Sequence, residues 1–386
     1  ITETGQELTL DGVKIEFQLT PESEAPAEMH FFFPEYKALC MAENCSGTMH
    51  NILTLRGALV RDSLQWSKYI DEALERWGDS ANLVFASHGW PHWGKDAVRG
   101  YLTRQRDLYR WLHDQAMRLA NLGYTPNEIA AEVTLPPGLW DDFMCHGYYG
   151  TVSHNVRAVY QRYIGFYDGH PSSLDPHTPV EVGKRYVDFM GGIEDLLEKA
   201  KKAFKEGDYK WVAEVLRHAV FANPENEAVR LLQADAFEQL AYQAESGPWR
   251  DIYLTGAQEL RNGSINVPVL QRPRLEVAKG MTLGQIFDFL AVKVNGNAAV
   301  KLSPMTINWS FSDTNENAYL ELSNGTLHSK IGPMIRSTDL EIVSSRDVLE
   351  ELISTEYSIT QALEEKRIDI EGNVEKFLNF WETLTD

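Results

Sequence analysis

Apolar and polar positions alternate from the start of the chain. Residues 7–20 (ELTLDGVKIEFQLT) hold two alternating runs on either side of Asp11-Gly12, which predicts a two-residue hairpin. Residues 29–33 (MHFFF) and 38–42 read as two further strands joined through Pro34. The period then changes. Trp66, Ile70, Leu74 and Trp77 fall on one face of a helix over 63–77, with Asp62 placed to cap it, Gln65 three residues on and Gly78 placed to end it. A short apolar strand, Leu83 to Ala86, runs straight into Ser87-His88. Strand, helix and strand in this order predict layered α/β or αββα packing.

Residues from about 96 to 165 read as mostly helical, and 172–177 (SSLDPH) form a polar, Pro-containing break. Residues 190–260 are helical and strongly charged, with the small-residue and Pro placement of a tetratricopeptide-like hairpin but too few units for a solenoid. A third pattern follows. Leu283, Ile286, Phe287 and Leu290 make a helix face, Met305 to Phe311 alternate as a half-buried strand, and Ala318, Leu320 and Leu322 alternate up to a second turn at Asn324-Gly325. The expected organisation is α/β, then all-α, then α+β, divided as 1–171, 172–264 and 265–386.

Composition narrows the functional classes. A chain of 386 residues predicts two or three domains, and 43% apolar with 24% charged residues is an ordinary globular balance. The formal charge of −20 argues against nucleic acid or an anionic membrane as partner. It leaves open an anionic small substrate, since one Arg inside a pocket outweighs a distant field. Three Cys without a CxxC argue against a disulfide framework, and no 18-residue apolar run predicts a membrane span. The opening Ile1-Thr-Glu-Thr, already close to the first strand pattern, leads to the expectation that residue 1 is an internal point of a longer protein.

Candidate ligands concentrate at predicted strand ends: Glu24 and Glu28 in EAPAE, Glu43 leading to His50, Asn51 and Arg56, and His88 with His92 in SHGWPHW. Taken singly, each has an ordinary explanation: a solvated loop carboxylate, a cap, a surface ion pair, or His92 packing against Trp90 and Trp93. Together, two carboxylates and an imidazole at successive strand ends form a donor set suited to zinc.

The segments SEAPAEM (23–29), MAEN (41–44), MHNILTLRGALVRD (49–62), FASHGWP (85–91) and GYYGTVSHNVRAVYQRYIGFYDG (147–169) resemble, in order along the chain, the alkylsulfatases of the metallo-β-lactamase superfamily, the group that includes the dodecyl sulfate hydrolases. The resemblance implies part of a metallo-β-lactamase-like αββα layer, an all-helical dimerisation domain and a sterol-carrier-protein-like α+β domain. It implies hydrolysis of alkyl sulfate esters to alcohol and sulfate by water activated on a pair of zinc ions. It gives Glu24 to the first zinc, with Glu28 as the rival for that role, makes Glu43 the bridging carboxylate and gives His88 to the second zinc.

Asn51, Arg56 and Tyr149 become sulfate contacts, His154 a proton donor to the leaving oxygen and Tyr160 a hydrogen-bond donor to sulfate. Phe287, Phe289, Trp309 and Phe311 either line a groove for an alkyl chain or form the core of the last domain. The resemblance also implies a homodimer and a periplasmic or secreted location. The family's HxHxDH motif, which supplies the other zinc ligands, is not in this sequence, so those ligands are expected from a preceding segment. The rival readings are another metallo-β-lactamase-type hydrolase, acting on phosphoesters, lactones or lactams, and a non-catalytic lipid-binding protein.

Overall fold

The structure is a computed structural model that describes residues 1–264, 273–335, 337–355 and 357–384. They form two compact units that divide at residue 265. In the first unit β1 (Glu7–Leu10), β2 (Val13–Leu19), β3 (Met29–Phe33) and β4 (Ala38–Cys40) form an antiparallel meander. Asp11 and Gly12 both take positive φ, as the predicted two-residue turn requires. Helix α1 (Ser63–Trp77) crosses over to β5 (Leu83–Phe85), which pairs parallel to β4, and β6 (His92–Trp93) closes the sheet.

The Asp62 carboxylate accepts from the Gln65 N–H, and Trp66, Ile70, Leu74 and Trp77 are all buried. Helices α2 (Lys95–Asn121), α3 (Pro126–Glu132), α4 (Pro137–Trp140) and α5 (Val152–Ile164) add a helical layer. The core lies between helices and sheet: Trp66 stacks on Tyr109 with ring centres 4.4 Å apart, and Phe32 on Trp77 at 5.6 Å.

Helices α6 (Pro179–Phe189), α7 (Ile193–Lys205), α8 (Tyr209–Ala222), α9 (Glu227–Gln243) and α10 (Gly247–Asn262) follow, with a small core of Leu196, Val212, Leu216, Ala219 and Val229. Most of their charged residues are exposed. Both sides of the 171/172 division expected from the sequence lie in the first unit. The start of α10 returns onto the loop before α5: Gly247 N–H donates to the Tyr148 carbonyl at 2.9 Å and Ser246 Oγ to the Tyr149 carbonyl at 2.6 Å. The expected division at 264/265 touches residues 265–272, which lie outside the described residues.

The second unit begins with α11 (Leu275–Gly280), α12 (Leu283–Lys293) and α13 (Gly296–Ala299). Its sheet holds β7 (Met305–Phe311), β8 (Asn317–Ser323), β9 (Thr326–Ile331), β10 (Leu340–Ser344) and β11 (Ile368–Gly372) in the order β11-β10-β7-β8-β9, with β7 and β10 parallel. Asn324 and Gly325 make the β8–β9 turn, both at positive φ. Helices α14 (Arg346–Ser354), α15 (Ile359–Glu364) and α16 (Val374–Glu382) complete it. Phe287, Trp309 and Phe311 are fully buried, packing on one another and on Phe377, so of the two expected roles these three take the core one. Phe289 is half-buried, with the Lys293 ammonium over its ring. Among the described residues no helix is long and apolar enough to cross a membrane.

Candidate functional site

Loops at one edge of the first unit's sheet carry the candidate residues. At the end of β4 the chain turns sharply: Ala42 takes φ 47°, and its carbonyl accepts from Ser87 N–H at 2.8 Å, binding the two strand ends together. Glu43 and His88 project from these ends, and Glu43 Oε1 lies 2.5 Å from His88 Nε2. Glu43 Oε2 lies 3.5 Å from His50 Nε2. Hydrogen bonding with His50, then with His88, pulls the Glu43 carboxyl down to about 2, so it is ionised at any ordinary pH.

The Glu24, Glu43 and His50 side chains each offer a ligand atom, and these lie within 4.8 Å of one another. Two carboxylate oxygens and one imidazole nitrogen at that spacing, with His88 beside them, suit a borderline divalent cation, so the residues present fit a metal site. Glu28, the rival of Glu24, accepts from the Glu43 N–H at 2.8 Å and supports the cluster from beneath. Burial and the neighbouring carboxylates raise its carboxyl to about 7.

Below Glu43 the buried polar residues lock the loop. His30 is fully buried; its Nδ1–H donates to Gln18 Oε1 at 3.1 Å and its Nε2 accepts from Asn44 Nδ2 at 2.7 Å. Trp66 Nε1 donates to the Asn44 carbonyl at 2.9 Å. Burial lowers the His30 pKa from 6.5 to about 3. The folded protein therefore keeps this ring neutral while the unfolded chain protonates it. Its contribution is complete above pH 6.5 and is lost as pH falls through 6.5 towards 3. Urea unfolding followed from about pH 7 down to about pH 5 is expected to show falling stability, with a flatter slope in His30→Gln; an unchanged slope in that variant would assign the loss elsewhere.

A cleft of about 400 Å³ opens beside the cluster, lined by Asn51, Leu55, Arg56, Tyr149, His154 and Trp249 among others. Asn51 belongs to both regions, because its Oδ1 accepts from Arg61 Nη1 at 2.5 Å. Tyr149 packs against His50 with ring centres 4.8 Å apart. Arg56 has no hydrogen-bond or ion-pair partner among the described residues, so its fork is available to an anion. Gly150 allows the Tyr149 loop to close on the site, since a Cβ there would lie 2.5 Å from the His50 carbonyl oxygen.

Three sequence expectations change. Tyr160 lies in the core, its hydroxyl donating to the Tyr167 carbonyl at 3.0 Å, and it does not line the cleft. Six residues along a helix turn a side chain to another face than that of His154. His154 does line the cleft, but its Nε2–H donates to the Leu53 carbonyl at 2.7 Å and burial lowers its pKa. The neutral ring therefore offers an acceptor at Nδ1 rather than a proton. His92 stacks on Tyr101 at 4.3 Å, while Trp90 and Trp93 are exposed. The sequence assigns no role to Arg61, Asn155 or Trp249, and offers His50 only as one candidate in the stretch from Glu43 to Arg56, without a place on either zinc. The adjacency of His50 to Asn51 and Arg56 was the one available signal.

Comparison with known proteins places these features in context. Residues 125–263 match the family model described as alkyl sulfatase dimerisation, and 273–386 match alkyl sulfatase C-terminal. A linear primary-alkylsulfatase of Pseudomonas sp. is 45% identical over 373 residues, covering 97% of this chain and 55% of its own length. A linear primary-alkylsulfatase of Pseudomonas sp. (strain ATCC 19151) is 30% identical over 376 residues, covering 95% of this chain and 70% of its own length. The solved structure of a stereoselective inverting sec-alkylsulfatase from Pseudomonas sp. superposes with a TM-score of 0.96 at 42% identity, over 100% of this chain and 61% of that one. The chain thus spans little more than half the length of the first of these relatives.

Proposed function

Because this chain belongs to the alkylsulfatase family, we propose that it carries part of a metal-dependent active site that hydrolyses alkyl sulfate esters to alcohol and sulfate. The observation that carries this reading is the convergence of Glu24, Glu43 and His50 beside a cleft that presents Arg56, which has no partner among the described residues. Glu24, Glu43, His50 and His88 would hold divalent cations, zinc by the chemistry of the donors. A bound zinc pair supplies an activated water and neutralises charge developing on the ester. Further ligands come from outside this chain.

The chain's own residues bind and orient the anion. Arg56 faces the sulfate with its two-pronged fork, and the Asn51 amide and Tyr149 hydroxyl supply further donors. Trp249 and Ile252, from the start of α10, offer apolar surface for the first carbons of the alkyl chain. His154, neutral at working pH, takes or relays a proton at Nδ1 while the Leu53 carbonyl holds its other nitrogen. In this reading residues 1–171 are the C-terminal part of a metallo-β-lactamase-like catalytic domain, 172–264 a dimerisation domain that supports a homodimer, and 265–386 a sterol-carrier-protein-like domain. The match at 125–263 supports the dimer.

The test is a panel of dodecyl sulfate, dodecyl phosphate and a lactam, run on the full-length protein with bound metal measured on the same sample. Release of sulfate that stops when a chelator removes zinc is the expected result. Absence of bound metal, or turnover of the phosphate or lactam only, would reject it. Arg56→Ala is expected to raise the KM for dodecyl sulfate by about 10–100-fold, the loss of one charge-assisted anion contact of about 1.5–3 kcal/mol. A KM within twofold of wild type would remove Arg56 from the sulfate site.

A further inference from the structure

Arg61 makes more polar contacts in the cluster than any candidate ligand. Its side chain is only 13% exposed and spends its whole fork inward. Nε donates to the Glu24 carbonyl at 2.5 Å, and Nη2 donates to Glu24 Oε1. Nη1 donates to Asn51 Oδ1 at 2.5 Å and to the Asn51 carbonyl at 2.9 Å, and lies 3.2 Å from His50 Nδ1. The backbone around it is held as firmly. Arg61 N–H donates to the Ile52 carbonyl and Asp62 N–H to the Glu22 carbonyl, both at 2.9 Å. Arg162 Nη1 donates to the Val60 carbonyl at 2.6 Å, and its Nη2 reaches Asp62 Oδ2 at 3.0 Å. Residues 60–62 thereby clip the 22–24 loop to the 50–52 loop.

We propose that Arg61 is a positioning residue that locks Glu24, His50 and Asn51 into one geometry, so that two cation ligands and an anion-binding amide act as a single rigid set. This rests on the metal-dependent reading given above. A planar guanidinium with five donors serves several acceptors in fixed directions, which a flexible ammonium cannot do. Its charge also offsets Glu24, letting that carboxylate stand close to Glu43 and Glu28. A carboxylate can hold the guanidinium with one oxygen and a cation with the other. His50 Nδ1–H donates to the Asn51 carbonyl at 3.1 Å, the same carbonyl that Arg61 Nη1 holds, which leaves Nε2 unprotonated on the side facing Glu43. Such outer partners orient first ligands and commonly change metal affinity by about 10–100-fold.

Arg61→Gln and Arg61→Lys are to be compared with wild type in the full-length protein. The readouts are zinc retained against a graded chelator, backbone hydrogen exchange of the loops at 20–28 and 49–55, and kcat and KM separately. In Arg61→Gln the expected results are zinc held about 10–100-fold more weakly, faster exchange in both loops and a raised KM. Arg61→Lys should fall between the two, because it keeps charge without the fork. Wild-type zinc affinity and wild-type exchange in Arg61→Gln overturn the proposal. Should that variant fail to fold, the same two results in Arg61→Lys overturn it. Were wild type to bind no zinc, the metal reading would fail by itself and hydrogen exchange would decide the role of Arg61: faster exchange in the two loops upholds the lock, and unchanged exchange removes it.

Discussion

Glu43→Gln is expected to lower kcat for dodecyl sulfate by about 1000-fold or more, equivalent to ~4 kcal/mol of transition-state stabilisation. The Glu43 side chain faces both His50 and His88, at 3.5 and 2.5 Å. Those imidazoles keep its carboxyl ionised, with a pKa of about 2. Its direction is set by the backbone rather than by the side chain: Ala42 in the left-handed region turns the chain out of β4, and Glu28 Oε1 holds the Glu43 amide at 2.8 Å. Glutamine keeps the shape and those backbone contacts but removes the negative charge, so the variant should fold while losing the carboxylate that faces both His50 and His88. Bound zinc and kcat measured on the same preparation check this. A kcat within tenfold of wild type, with full zinc, would exclude Glu43 from the metal site.

Asn155→Ala is expected to destabilise the protein by about 2–4 kcal/mol, since it strips partners from two buried backbone groups at once. Asn155 is fully buried; its Oδ1 accepts from Ile52 N–H at 2.9 Å and its Nδ2 donates to the His50 carbonyl at 2.8 Å. Together with His154, which donates to the Leu53 carbonyl, it ties α5 to the stretch carrying His50, Asn51 and Arg56, a stretch with no helix or strand of its own. Thermal unfolding should shift down by roughly 4–7 °C for that loss in a unit of this size, and zinc affinity should weaken together with stability. A melting temperature unchanged within about 1 °C would show that the loop is held by other contacts, of which the close approach of Gly150 to the His50 carbonyl is the nearest.

These two residues were not equally visible in the sequence. Glu43 and His88 could be marked as candidates because each follows a short apolar strand, and a strand end is a local pattern of apolar, polar and turn residues. The same locality made the Asp11-Gly12 and Asn324-Gly325 turns and the Asp62-capped helix legible, since turn chemistry and capping depend on neighbours three or four positions away. The α+β character of the last segment followed from alternation in β7 and β8. Strands β10 and β11, five residues each, escaped because their pairing is with distant segments rather than with a hairpin partner.

What the sequence by itself determined was therefore the order of elements, the strand ends at which chemistry gathers and, through long matching segments, the family. The tertiary structure alone decided which side chains meet there. Asn155 reaches His50 across 105 positions, His154 reaches Leu53 across 101 and Arg61 reaches Glu24 across 37. No periodicity links residues so far apart. It also decided that Tyr160 turns into the core although it shares a helix with His154, that Phe287, Trp309 and Phe311 fill the second unit's core, and that α10 brings Trp249 to the cleft. The physical reason is common to all of them: local pattern sets how a segment folds, but the direction of a side chain and the partner it finds are set only when distant segments pack together and each buried polar group must be satisfied.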